Sequence, residues 1–313
     1  MEMVLQLFLL AVGFTLLIKG ADWFVEGASK VADRLGIPQL VIGLTIVAMG
    51  TSAPEAAISI SAALKGSADI AVGNVVGSNI MNVLLILGMT ALITPLMVQP
   101  STVRYEIPFL IIITVIFAAV GLWDHVVGGI DGALLWGLFI LYLAYLFVMA
   151  KKGQGGPAEE KAEGEKESLF KMLGLIVTGC ILIVAGSNIT VDAATALARI
   201  FKIDERIIGL TVVAFGTSLP ELVTSIAAGI KKKADIAVGN IVGSNIFNIL
   251  FVIGTSAAIT PVAYQADFFV DSIVCIAASA LLLLCVLNKE RKLKRFGGAV
   301  MLAAYAGYFA YLL

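Results

Sequence analysis

Residues 42–95 read IGLTIVAMGTSAPEAAISISAALKGSADIAVGNVVGSNIMNVLLILGMTALITP, and residues 208–261 read IGLTVVAFGTSLPELVTSIAAGIKKKADIAVGNIVGSNIFNILFVIGTSAAITP. The two stretches align at a constant offset of 166 without a gap, and 34 of their 54 positions are identical. Shared apolar composition does not explain the match. It includes Gly50, Thr51, Ser52, Pro54, Glu55, Asp69, Gly73, Asn74, Gly77, Ser78, Asn79 and Asn82. The same offset pairs Gly20 with Gly186 and Glu26 with Asp192. The chain is therefore two copies of one unit.

The composition around these copies sets the class. Of 313 residues, 60% are apolar and only 14% charged. A soluble domain cannot hide that much apolar surface, so water-soluble enzymes, nucleic-acid binders and disordered proteins are excluded. The net charge of -1 offers nucleic acid no basic field. Cys180, Cys275 and Cys285 each lie in an apolar run without metal-ligand spacing and read as small packing residues. The partner implied by this composition is the lipid bilayer.

A membrane span needs roughly 20 largely apolar residues. The pattern predicts ten helices, near 3–29, 38–64, 69–94, 105–122, 128–149, 169–198, 206–229, 235–260, 267–287 and 296–313. The first lacks a basic leader and a small-residue cleavage site, so it reads as a retained span. Alternate loops then hold 16 Lys and Arg on one side and 4 on the other, with Lys19 inside the first helix. The positive-inside rule places the richer side in the cytoplasm and both termini outside, in a multi-pass plasma-membrane protein. Residues 151–168, KKGQGGPAEEKAEGEKES, form a hydrophilic cytoplasmic linker. The expected organisation is a first repeat over 1–150, the linker, and a second repeat over 169–313.

Five spans per copy is an odd number, so the second copy enters the membrane from the opposite face. The expected fold is all-α and integral to the membrane, with two inverted five-helix repeats. Transport folds use this arrangement to build a midplane site between the halves, reached from each side in turn.

Glu55 and Glu221 are the candidate centre. Each is predicted near the middle of an apolar helix, where a lone carboxylate is costly and marks an ion path. Thr51 and Glu55 are four apart, as are Thr217 and Glu221, so each pair is expected on one helix face. Pro54 and Pro220 lack an N–H and should release the carbonyls of Gly50 and Gly216. Carboxylates, hydroxyls and free carbonyls are hard oxygen ligands, suited to Na⁺ or Ca²⁺ and not to a soft transition metal. The neighbouring GNVVGSNIMN and GNIVGSNIFN add Ser78 with Asn82 and Ser244 with Asn248 on one face each, and Asn74 and Asn240 one turn back. Their glycine pairs permit close helix approach.

Other polar residues say less. Asp69 and Asp235 are expected to cap their helices. Asp22 and Glu26 read as a solvated helix end more than an entry route, and His125 as a surface residue. No HExxH, Walker or dinucleotide-binding glycine signature occurs in a suitable context, so neither an enzyme nor ATP-driven transport is indicated, and no cofactor is expected.

GTSAPE and GTSLPE, each followed by a GNxxGSN run, resemble the alpha repeats of the cation/Ca²⁺ antiporters, and most of all the microbial Na⁺/Ca²⁺ exchangers. The resemblance implies secondary antiport of Na⁺ against Ca²⁺ by alternating access, with three Na⁺ per Ca²⁺. It implies that Glu55 and Glu221 bridge Ca²⁺ and share the flanking Na⁺ ions. The main-chain carbonyls of Thr51 and Thr217 would be Ca²⁺ ligands. Thr51, Ser52, Thr217 and Ser218 would line Na⁺ sites. The carbonyls of Ala48 and Ala214 and the hydroxyls of Ser78 and Ser244 would complete them, with Asn82 and Asn248 flanking the centre. Helices 1 and 6 would slide across a rigid core, and one chain would work as a monomer. Some microbial and K⁺-dependent relatives carry aspartate where this chain has Asn248. Asparagine there argues against K⁺ dependence, and the lack of a further acid in this helix favours Na⁺ over H⁺. The alternatives are H⁺/Ca²⁺ or other cation antiport on the same fold, and a cation channel.

Overall fold

The computed structural model describes residues 2–66, 69–153, 168–202, 214–265 and 267–312. Its helices are α1 (Glu2–Leu35), α2 (Gln39–Thr51), α3 (Ala53–Leu64), α4 (Ile70–Ile93), α5 (Thr102–Asp124), α6 (Gly129–Lys152), α7 (Leu169–Ile200), α8 (Ala214–Thr217), α9 (Leu219–Ile230), α10 (Ala234–Ile259), α11 (Asp267–Val286) and α12 (Arg295–Leu312). Seven described helices are long and apolar enough to cross a membrane, and α2 with α3 makes an eighth span broken by a 52° bend. The predicted seventh span begins outside the described residues and ends as α8 and α9. The tenth is α12. Most of the linker, 154–167, also lies outside them.

The internal repeat is visible in the backbone. A π-helical turn at Asn82–Leu87 in α4 recurs 166 residues on at Asn248–Ile253 in α10. Four two-residue strands follow the same rule: β1 (Leu96–Met97), β2 (Val126–Val127), β3 (Val262–Ala263) and β4 (Lys292–Leu293). β1 pairs with β4 and β2 with β3, both antiparallel, with Leu96 opposite Leu293 and Val127 opposite Val262. Each sheet joins a loop of one half to a loop of the other, and the offset converts one sheet into the other. That is the signature of a two-fold relation between halves.

Helices α1 and α7 form a long pair on the outside of this core. Their glycines let the backbones meet. A Cβ on Gly20 would lie 2.9 Å from the Gly179 carbonyl oxygen, and one on Gly179 2.8 Å from that of Gly20. Lipid tails give no hydrophobic drive for association, so this close backbone packing holds the pair together. Val4, Phe8, Val177 and Ile181 are exposed on it, as a lipid-facing surface requires. α10 is the opposite case: every residue from Ile236 to Leu250 is buried. The centre of the molecule is thus α4 crossed with α10, flanked by the two broken helices.

Candidate ion-binding site

Both glutamates sit at helix breaks. The backbone leaves helical geometry at Ser52 (φ −83°, ψ 6°) and at Ser218 (φ −92°, ψ 4°), and a new helix starts with proline in its first turn. Proline is well suited there because its missing N–H has no partner to lose. Glu55 and Glu221 therefore occupy the first turns of α3 and α9, which corrects the expectation of mid-helix positions. Thr51 and Thr217 end the preceding helices instead of sharing one continuous face with the glutamates. The positive ends of two helix dipoles thus face two carboxylates.

The liberated carbonyls are where the prolines predict. Ser187 Oγ on α7 donates to Gly216 O at 2.8 Å, and Cys180 Sγ on α7 reaches Gly50 O at 3.8 Å. The outer pair therefore touches the core at both breaks.

The carboxylates are fully buried and cross-linked between halves. Ser52 Oγ donates to Glu221 Oε1 at 2.8 Å, and Ser218 Oγ donates to Glu55 Oε1 at 3.4 Å. Ser244 Oγ also reaches Glu221 Oε1 at 3.4 Å and meets the Ser52 hydroxyl. The Thr51 hydroxyl lies within reach of Val47 O, Ala48 O and Asn240 Oδ1. Ala48 O also accepts from Ser52 N at 3.0 Å. Ser78 is buried on α4 and Thr217 is half-buried. Ala214 opens α8, but its side chain lies outside the described residues.

Asparagines fix the frame. Asn74 Nδ2 donates to Glu55 O at 3.2 Å and Ser59 Oγ at 2.9 Å; Asn240 Nδ2 donates to Glu221 O at 3.5 Å and Ser225 Oγ at 3.0 Å. Asn79 and Asn245 exchange bonds across the helix crossing, each donating to the other's carbonyl, at 3.1 and 3.0 Å. Asn82 Nδ2 then donates to Asn245 Oδ1 at 3.0 Å, and Asn248 Nδ2 to Asn79 Oδ1 at 3.2 Å. Sequence reasoning singled out Asn82 and Asn248 but gave Asn79 and Asn245 no role. The available signal was their place in both GSN runs.

These bonds leave a definite remainder. Glu55 Oε2, Glu221 Oε2, Asn82 Oδ1 and Asn248 Oδ1 are buried with no hydrogen-bond donor among the described residues. They form two pairs related by the internal offset. An orphaned buried acceptor costs about 1–3 kcal/mol, and more when charged. The ion pairs Lys30–Glu26, Lys231–Asp22 and Lys294–Glu290 involve neither glutamate. Among the described residues no group of three His, Cys, Asp or Glu side chains forms a metal cluster. The remaining donor set is two carboxylates with neutral oxygens, which matches a hard cation carrying about two charges.

The secondary candidates resolve differently. Asp235 follows the N-cap position, held by Lys233, and accepts from Gln99 Nε2 at 2.9 Å, so it is not the cap expected. The Asp69 side chain lies outside the described residues. Glu26 pairs with Lys30 on its own helix at 2.8 Å. His125 is exposed and ends α5 with φ 61°.

The sodium/calcium exchanger protein family model matches residues 5–148 and 171–313. Among related sequences, the inner membrane protein YrbG of Escherichia coli (strain K12) is 41% identical over 293 residues, covering 89% of each chain. The sodium/calcium exchanger MaX1 of Methanosarcina acetivorans is 32% identical over 344 residues, covering 97% of each. A solved structure of the sodium-calcium exchanger NCX_Mj superposes with a TM-score of 0.85 at 32% identity, over 99% of this chain and 100% of that one.

Proposed function

The chain belongs to the sodium/calcium exchanger protein family, and from that premise we propose that it is a secondary antiporter, not an enzyme, exchanging Na⁺ for Ca²⁺ by alternating access at the paired-glutamate site. The observation that carries this reading is the set of four orphaned oxygens on Glu55, Glu221, Asn82 and Asn248. Two buried negative charges with no ion-pair partner among the described residues need their countercharge from a substrate.

In this reading Glu55 and Glu221 bridge Ca²⁺, joined by the carbonyls of Thr51 and Thr217, with Asn82 and Asn248 beside them. Ser52, Ser218, Ser78, Ser244 and the carbonyls of Ala48 and Ala214 complete flanking Na⁺ positions. Two carboxylates balance one Ca²⁺, whereas three Na⁺ leave one extra positive charge, so exchange is electrogenic. The α1–α7 pair slides across the core, its contacts at Gly50 and Gly216 transmitting the motion to both breaks. The site draws on both halves of one chain, so a monomer suffices. The repeats are 1–150 and 169–313, and the linker 151–168 lies in the cytoplasm with both termini outside.

The test is Ca²⁺ uptake into proteoliposomes under an outward Na⁺ gradient, with pH clamped and voltage set by K⁺ and valinomycin. Uptake should require the Na⁺ gradient and respond to voltage, since one net charge is worth about 2.3 kcal/mol per 100 mV. Voltage-independent uptake excludes three-for-one coupling. Uptake driven by a pH gradient alone selects H⁺/Ca²⁺ exchange, and equilibration indifferent to both gradients selects a channel.

A further inference from the structure

A third buried carboxylate lies outside the central site. Glu106 on α5 is 1% exposed. Its Oε1 accepts from the Tyr145 hydroxyl of α6. Its Oε2 has no hydrogen-bond partner among the described residues, and neither do Thr102 Oγ1 or the Tyr142 hydroxyl. Thr102 is fully buried and Tyr142 is 4% exposed. Thr102 stands one turn before Glu106 on α5, and Tyr142 stands one turn before Tyr145 on α6, on the face that reaches Glu106. Two buried hydroxyls thus lie on the faces that meet at one carboxylate, and they and its second oxygen have no hydrogen-bond partner among the described residues.

The backbone is special at the same place. Thr102–Glu106 is a π-helical turn, a form that recurs at functional sites. Pro108 withholds an N–H from the carbonyls of that turn. The equivalent segment of the second half, 268–272, is ordinary α-helix within α11. Phe268 stands in the place of Thr102 and Ser272 in that of Glu106. There the Ser272 and Tyr264 hydroxyls bond each other at 2.7 Å, and Tyr308 donates to Asp271 at 2.8 Å. The cluster is therefore no requirement of the repeated fold, because its image packs without it.

We propose that Glu106, Thr102 and Tyr142 form a second cation site, separate from the central one, that takes a single Na⁺ between α5 and α6. All its atoms are hard oxygens, which suit an alkali or alkaline-earth ion. It carries one negative charge, and no cluster of acids adjoins it among the described residues, so a single positive charge neutralises it. The nearest cation in sequence, Arg104, stacks on the exposed ring of Tyr105, 5.6 Å from its centroid. The inference does not depend on what the central site transports.

The test is equilibrium binding of radioactive Na⁺ to the purified full-length protein, at zero and at saturating Ca²⁺. Glu106→Gln should bind one Na⁺ fewer per chain than wild type in both conditions, while Ca²⁺ binding is unchanged. Thr102→Val should keep the site and weaken its Na⁺ affinity by about tenfold, the loss expected for one contact to a charged group. Equal Na⁺ counts in wild type and Glu106→Gln overturn the proposal and leave Glu106 as a protonated side chain. If Glu106→Gln does not fold, Thr102→Val decides: unchanged Na⁺ affinity overturns the proposal.

Discussion

The two halves share their central sequence but not their central geometry. Around Glu221, Ser52 donates at 2.8 Å and Ser244 approaches to 3.4 Å. Around Glu55, Ser218 donates at 3.4 Å, and no bond joins Ser78 to Glu55 among the described residues. Asn240 is fully buried, while its image Asn74 is half-buried. A Cβ on Gly243 would strike the Leu44 backbone at 2.7 Å, and one on Gly239 would lie 3.1 Å from that of Gly43. Among the described residues the Glu221 side is the more fully bonded. The bonding serines and asparagines are the same in both halves, so their identity does not account for the difference, which we read as one of conformation. In an inverted repeat, the opposite-facing state is reached when the halves exchange these two geometries.

The largest effect should come from the feature both halves share. Glu55→Gln and Glu221→Gln should each lower Ca²⁺ uptake in proteoliposomes by at least about 100-fold, the scale for removing one partner of a buried charge interaction. Gel filtration and circular dichroism should show a folded protein in both cases. If one variant transports at the wild-type rate, the site is not shared between halves and the comparison fails.

A middle-sized effect tests the asymmetry itself. Ser52 makes a well-formed bond to a carboxylate, worth about 1.5–3 kcal/mol, and Ser218 makes a long one. In protein held in this conformation, Ser52→Ala should weaken Ca²⁺ binding more than Ser218→Ala. In steady-state exchange, which passes through both conformations, the two variants should be nearly equal. Equal binding losses in the trapped state would mean that the difference between half-sites carries no energy.

Much of this was legible in the sequence, for physical reasons. The 166-residue offset survives in the π-helical turns and in the crossed strand pairs. The prolines at 54 and 220 foretold free carbonyls at Gly50 and Gly216. The breaks at Ser52 and Ser218 were not foreseen, because a proline inside an apolar run fits both a kinked helix and the start of a new one. The four short strands escaped notice because two-residue ladders leave no periodicity. Glu106 was counted as part of a span and given no role, since the orphaned state of its oxygen depends on Thr102 and Tyr142 in three dimensions.

The smallest effect concerns the helix pair that must move. Lys231, at the end of α9, lies 3.1 Å from Asp22 Oδ1 on α1 and donates to Asp22 O at 2.8 Å. The offset sends these residues to Lys65 and Asn188, both exposed. One face of the molecule therefore ties α1 to the core with an ion pair, and the acid needed on the other face is missing. The pair is partly exposed, so it contributes about 0.2–1 kcal/mol and fades with salt. Asp22→Asn should release this conformation. Asn188→Asp should favour the opposite one by giving Lys65 a partner. Both should shift the ratio of half-saturating Ca²⁺ concentrations at the two membrane faces in the same direction, by up to about fivefold each at low salt. The sites are distant, so the shifts should multiply in the double variant. Shifts in opposite directions, or shifts that persist in molar salt, would mean that the ion pair does not set the balance between the two faces.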